Sequence, residues 1–188
     1  MWSIAGTLTV HPATERTDLL AEPVLRALTA LDPADAARCG VAEIDPELAD
    51  TAAFCAAYDS PLTASANCVV VAGKRDGEQR FAACLVLATT RADVNGVIRR
   101  RLDVRKASFA PMDDAVALSG MAYGGITPVG VPEGWPILID AAVAAAPELV
   151  IGSGVRNSKL FVSGDFLTKL SGAEVIDGLA RPIDQPGQ

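Results

Sequence analysis

One histidine, His11, serves the whole chain, and the four cysteines, Cys39, Cys55, Cys68 and Cys84, stand 13 to 16 positions apart without a CxxC pair. That shortage argues against a zinc site and against any bound metal. A Ser-His-Asp arrangement would have to recruit His11, and the chain has neither a GxSxG elbow nor an SxxK pair. The GxxxxGK[ST] phosphate loop is also missing. Ordinary serine hydrolases and nucleoside triphosphatases are therefore excluded. No apolar run approaches the ~18 residues of a membrane span. The opening MWSIAGTLTVHPATER has no basic segment ahead of its apolar stretch, so no secretory signal is expected. Each cysteine lies among small or apolar neighbours, as buried thiols do in a reducing compartment, and the expected location is the cytoplasm.

What the chain does have is apolar mass. Of 188 residues, 50% are hydrophobic and 21% charged, a balance that excludes disorder and fits one core at about 150 residues per domain. The net charge of −7 excludes broad nucleic-acid binding, and it is unevenly placed. Residues 1–66 carry three arginines against ten acids, whereas residues 67–188 balance at 13 against 13. Within the balanced part Arg91, Arg99, Arg100, Arg101, Arg105 and Lys106 form a basic cluster. It is either a solvated helix face or a patch that meets a few phosphates.

Periodicity gives the expected elements. A strand over residues 5–10 precedes a helix carrying Leu20, Val24, Leu28 and Leu31. Asp45-Pro46 caps a helix that runs to Tyr58. Strands at 67–73 and 80–88 form a hairpin across Asp76-Gly77. Helices are expected from Asp93 and over 112–119. Short strands at 136–139, 148–151, 159–162 and 173–176 surround a helix near 165–170. Between them Gly120 to Trp135 holds five glycines and two prolines, which reads as an ordered loop over a pocket. The fold class is α+β: a single domain with a mixed β-sheet or barrel-like core and surrounding helices. Its expected divisions are an N-terminal strand and helix extension over 1–44, the main domain over 45–180, and a tail over 181–188.

Three segments exceed what packing alone requires: SANCVVV (Ser65 to Val71), YGGITPVG (Tyr123 to Gly130) followed by PILID (Pro136 to Asp140), and IGSGVRNSKL (Ile151 to Leu160). Glycines let backbone N–H groups approach a phosphate, carboxyl or oxyanion. The same glycines also serve plain turns. Asp140 is either the N-cap of a short helix or an acceptor for a substrate amino group or ribose hydroxyl. Ser153 and Gly154 read as a turn or as a ligand contact. Asn67 either caps a strand edge or donates its amide to a carbonyl or hydroxyl.

In order and spacing these segments resemble the YbaK/EbsC family, the aminoacyl-tRNA deacylase domain also found inserted in bacterial prolyl-tRNA synthetases. Gly124, Gly125, Pro128 and Gly130 match its GG-x-x-P-x-G loop, Asp140 its strand-terminal aspartate, and Gly154 with Arg156 its glycine-rich turn. The resemblance covers roughly Asp45 to Gly178. It implies a catalytic set of Asn67, Asp140 and Gly125, with Cys68, Gly124, Ile126, Thr127, Pro128, Gly130, Ser153 and Gly154 binding substrate. Arg99, Arg100 and Arg101 would meet nucleic-acid phosphates.

The family's Lys-Thr at the strand start is Asn67-Cys68 here, and no other lysine lies nearby in sequence. Lys74 is seven positions along, about 23 Å away in an extended strand.

The implied function is trans-editing in the service of translation fidelity: hydrolysis of the ester at the 3′ end of mischarged tRNA, without a cofactor or metal. The alternative is a non-catalytic module that binds an aminoacyl-adenosine-like ligand or a synthetase. Expected partners are the 3′ end of aminoacyl-tRNA and an aminoacyl-tRNA synthetase, with neither membrane nor DNA.

Overall fold

Asp76 and Gly77 both adopt positive φ, 51° and 86°, and close a two-residue turn between Arg75 and Glu78. This is the backbone that an Asp-Gly pair favours in a tight hairpin. The computed structural model describes residues 1–183. In chain order its elements begin with β1 (His11–Pro12), α1 (Glu22–Ala30), α2 (Pro33–Ala36), β2 (Gly40–Glu43) and α3 (Thr51–Tyr58). The hairpin strands β3 (Ala66–Arg75) and β4 (Glu78–Leu87) lead to β5 (Thr90–Ala92). A π-turn over Val94–Ile98 runs into α4 (Arg99–Arg101), then β6 (Ala107–Phe109) and α5 (Met112–Ser119). After the glycine-rich loop come β7 (Ile137–Asp140), α6 (Ala141–Ala144), β8 (Leu149–Gly152) and β9 (Ser158–Val162). The described chain closes with α7 (Gly164–Thr168), β10 (Ala173–Ile176) and β11 (Ala180–Pro182).

Two main sheets result. One has the order β10-β7-β4-β3-β6, the other β1-β2-β9-β8, and β11 pairs with β5 in a small ribbon. The first sheet is mixed: β4 is antiparallel to β3 and parallel to β7, which is itself parallel to β10. Ala82 to Val86 of β4 are buried on both faces, which explains their unbroken apolar run in place of alternation. One face packs with α1, β8 and β9, where Leu28, Leu85, Ile139, Leu149 and Leu160 meet. The other packs beneath the π-turn through Cys84, Leu138, Ile98 and Leu102.

These observations give the α+β single domain expected, with differences at the margins. The helix expected from Asp45 to Tyr58 divides into a short 3-10 turn, Pro46–Leu48, and α3. Residues 5–10 form no strand, and the first strand is the two-residue β1. β2, β5, β6 and β11 lie in stretches too short to carry a period. β2 joins β9 in antiparallel register, Gly40 opposite Phe161, so the first 44 residues contribute to a shared sheet. Of the expected tail, Arg181 and Pro182 belong to β11 and residues 184–188 lie outside the described residues. Among the described residues no helix is long and apolar enough to cross a membrane.

Candidate functional site

Ser65 and Val150 form a parallel bridge between the two main sheets, and from it β3 and β8 continue in different sheets. At this junction opens a cavity of about 490 Å³. Its walls come from Ser65–Val70, from Val150–Gly152, from Thr51 and Phe54 on α3, and from Gly124 and Ile126 of the glycine-rich loop. Phe109, Met112 and Tyr123 also line it, at 58%, 52% and 61% exposure. Large apolar side chains held this far into solvent make the mouth a stacking surface.

Arg156 holds the loop in place. It donates to the carbonyl oxygens of Tyr123 and Pro46 at 3.3 and 3.0 Å and lies 3.8 Å from the Asp50 carboxylate. Gly124 passes directly beneath the Arg156 guanidinium, where a Cβ would collide, and its φ is +83°. The positive φ favours glycine there, and any side chain would also displace the Arg156 guanidinium. Gly125 packs against the Val155 backbone, donates to Ala122 O at 2.9 Å and accepts from Gly154 N at 2.7 Å. Its N–H is thus used within the loop. The N–H groups of Gly124 and Ile126 have no acceptor among the described residues and belong to cavity-lining residues.

Asn67 is fixed from α3: the Thr51 hydroxyl donates to Asn67 Oδ1 at 2.8 Å. With its oxygen so occupied, the amide acts toward the cavity as a donor. Beside it Cys68 is partly exposed in the cavity wall; burial pushes its thiol up to about 12, which disfavours the reactive thiolate.

Lys159 of β9 lines the same cavity. It is 7% exposed, donates to Ala49 O at 2.6 Å and lies 5.5 Å from the Phe54 ring centroid. Burial lowers its ammonium to about 8, against the pull of Asp50. Lys159 and Asp50 are the charged residues of the cavity wall among the described residues.

The structure therefore brings together Asn67, Cys68, Gly124 and Ile126, and sets the other expected residues elsewhere. Asp140 is not in the cavity wall. It is two strands from Asn67, β4 intervening, or about 10 Å at 4.8 Å per strand. Both its oxygens are occupied, Oδ1 accepting from Ala142 N and Oδ2 from Ala180 N, each at 3.0 Å. Its role is the N-cap of α6 and a tie to β11.

Ser153 is fully buried, with its hydroxyl 2.7 Å from Ser158 Oγ. Thr127 is buried with Oγ1 unpartnered among the described residues, and Pro128 is buried beside it. Gly130 packs on Pro23 and Gly154 on Ala21, both supporting the loop from behind. Arg99 to Arg101 form α4 outside the cavity wall, Arg101 paired with Glu174 of β10 and neighbouring Leu102 O accepting from Arg80. Arg80 is opposite Gly73, six residues and about 20 Å along β3 from Asn67.

Sequence reasoning missed Lys159, Thr51 and Phe54. The only signal for Lys159 was a charge inside the otherwise strand-like SKLFV.

The fold has solved counterparts. A crystal structure of a candidate trans-editing enzyme for prolyl-tRNA synthetase superposes with a TM-score of 0.68 at 23% identity, over 84% of this chain and 97% of that one. A hypothetical protein superposes at 0.71 with 18% identity, over 85% and 100% of the two chains. The model for the aminoacyl-tRNA editing domain matches residues 45–170, the segment that holds the cavity wall. On that match the chain belongs to the aminoacyl-tRNA editing domain family, the YbaK family.

Proposed function

We propose that the protein is a free-standing deacylase that hydrolyses the ester joining a wrong amino acid to the 3′ end of tRNA. One observation carries the reading: hydrogen-bond donors gather in the cavity wall. Asn67 offers an amide, Gly124 and Ile126 offer unpaired N–H groups, and the Cys68 thiol is held protonated. Water attacks the ester carbonyl, the acyl C–O bond breaks, and the released ribose oxygen takes up a proton. Each well-placed donor to the developing oxyanion is worth about 10²–10³ in rate. An ester already labile in water needs little beyond such donors and positioning.

The apolar wall formed by Phe54, Val70, Val150 and Ile151 receives the amino-acid side chain. In this reading the exposed Tyr123 and Phe109 of the cavity wall stack the terminal adenine. Such an editor answers a limit of synthetases, which discriminate one methylene by only ~1–3 kcal/mol, and the synthetase is its natural partner.

The second reading, a module that binds an aminoacyl-adenosine end without cleaving it, is favoured by one feature, the uncharged Asn67 at the strand start. Hydrolysis of mischarged tRNA in H₂¹⁸O separates the two. The deacylase releases amino acid with one ¹⁸O in its carboxyl and intact tRNA, and forms no acyl-protein. A binding module leaves the ester to its uncatalysed rate or protects it.

A further inference from the structure

Lys159 is a buried cation without a carboxylate partner. Its ion-pair distances to acids all exceed 4 Å among the described residues, and Ala49 O accepts a hydrogen bond from one of its three N–H groups. Retaining such a charge is costly, since a buried ammonium normally pairs or loses its proton. The acid nearest the cavity, Asp50, is held by Arg156 at the mouth, and its side chain is 79% exposed. Burial weakens the ammonium, Arg156 adds to that effect, and Asp50 and Cys55 oppose it. Three observations coincide in this side chain: it is more than nine-tenths buried, it lines the cavity, and its ammonium has no ion-pair partner within 4 Å among the described residues. With one N–H on Ala49 O and the Phe54 ring at 5.5 Å, two N–H donors of the ammonium have no acceptor among the described residues.

We propose that Lys159 is the ligand-anchoring cation of this cavity, donating from β9 to a negatively polarised oxygen of the bound molecule, in the same cavity as the Asn67 amide on β3. The inference rests on the deacylase reading for the identity of the ligand. Two oxygens of an aminoacylated 3′ end have the required chemistry, the ester carbonyl and the phosphate of the terminal nucleotide. Held by Lys159 and Asn67 together, the carbonyl is polarised by both. Held by Lys159 alone, the phosphate fixes the nucleotide while Asn67 meets the ester.

The test uses 3′-deoxy-3′-(alanylamino)adenosine with and without a 5′-phosphate, whose amide link resists hydrolysis, titrated calorimetrically into wild type, Lys159→Met and Lys159→Arg. Charge-assisted bonds are about twice as strong as neutral ones, and the expected loss in Lys159→Met is tenfold or more. Loss with both analogues assigns the carbonyl, and loss with the phosphorylated one alone assigns the phosphate. Lys159→Arg keeps the charge but needs more room, and should bind better than the methionine variant. Thermal unfolding of Lys159→Met at or above the wild-type temperature shows that the loss is not misfolding.

Equal binding by wild type and Lys159→Met overturns the proposal. If wild type binds neither analogue, an alanyl-adenosine end is not its ligand, and inorganic phosphate then tests the cation directly. Phosphate binding abolished by Lys159→Met sustains it, and no phosphate binding by wild type overturns it.

Discussion

The Thr51 hydroxyl donates to Asn67 Oδ1 at 2.8 Å, so a residue on α3 decides which end of an amide on β3 faces the cavity. Asn67→Ala removes a donor outright, and deacylation of mischarged tRNA should fall about 100-fold. Thr51→Val removes only the orientation, a neutral bond worth ~0.5–1.5 kcal/mol, and the rate should fall between about twofold and tenfold. The two effects should be less than additive in the double variant, because Thr51 acts through Asn67. Additive losses in single-turnover rates would show that Thr51 acts separately.

Cys68 lies in the cavity wall with its thiol pushed up to about 12 by burial. Cys68→Ala should keep activity within a few-fold of wild type, and iodoacetamide at neutral pH should modify Cys68 slowly. Rapid inactivation tracking its alkylation by mass spectrometry would contradict the protonated thiol.

Lys159 gives stability a pH dependence of known sign. Burial lowers it from 10.5 to about 8, so between those values the unfolded chain holds more protons and stability rises with pH. Below about 8 the full cost is present, roughly 3 kcal/mol at ~1.36 kcal/mol per pH unit. The buried thiols act oppositely: with Cys39 and Cys68 raised to about 12 and Cys84 raised further, unfolded thiols ionise first and stability falls above the usual thiol range. Comparing wild type with Lys159→Met cancels the thiols. By urea unfolding, the advantage of the methionine variant should shrink by about 2 kcal/mol between pH 7 and pH 10. A pH-independent difference would mean that Lys159 titrates normally.

Gly124 combines φ +83° with the Arg156 guanidinium overhead. Gly124→Ala should cost about 1–2 kcal/mol for the left-handed backbone and loosen the loop, lowering activity more than Arg156→Lys does. Urea unfolding and single-turnover rates on both variants check this. An alanine variant with wild-type stability and rate would remove the loop from the site.

Arg99 and Arg100 lie on α4, outside the cavity wall. Replacing both with glutamine should weaken binding of whole tRNA and lessen its salt slope by about 0.7–0.9 for each phosphate no longer neutralised. Binding of a CCA trinucleotide should not change. Loss of trinucleotide binding in a filter assay would place these arginines beside the cavity.

The hairpin, α5 and the strands from β7 to β10 were legible because each carries a period, a cap or a turn signal of its own. Asp76-Gly77 fixed the β3–β4 register, and Met112–Ser119 forms a helix with the bounds its pattern implies. Half of the site was legible too, since Asn67, Gly124 and Ile126 lie in segments whose composition packing does not require. Asp140 was open to two readings, because a strand-terminal aspartate before alanines serves equally as an N-cap, and in the fold its two oxygens accept from Ala142 N and Ala180 N. Lys159 stayed hidden because its proximity to Asn67 depends on how β9 and β3, in different sheets and 92 positions apart, meet around one cavity. No local pattern encodes such a meeting.

Single-turnover deacylation of a panel of mischarged tRNAs, followed as loss of the labelled aminoacyl ester with wild type, Asn67→Ala and Lys159→Met, tests the central claim most directly. The account predicts acceleration over the uncatalysed rate for at least one mischarged tRNA, a drop of about 100-fold in Asn67→Ala, and a comparable or smaller drop in Lys159→Met. Wild-type protein that leaves every ester at its uncatalysed rate, or variants as fast as wild type, would contradict it.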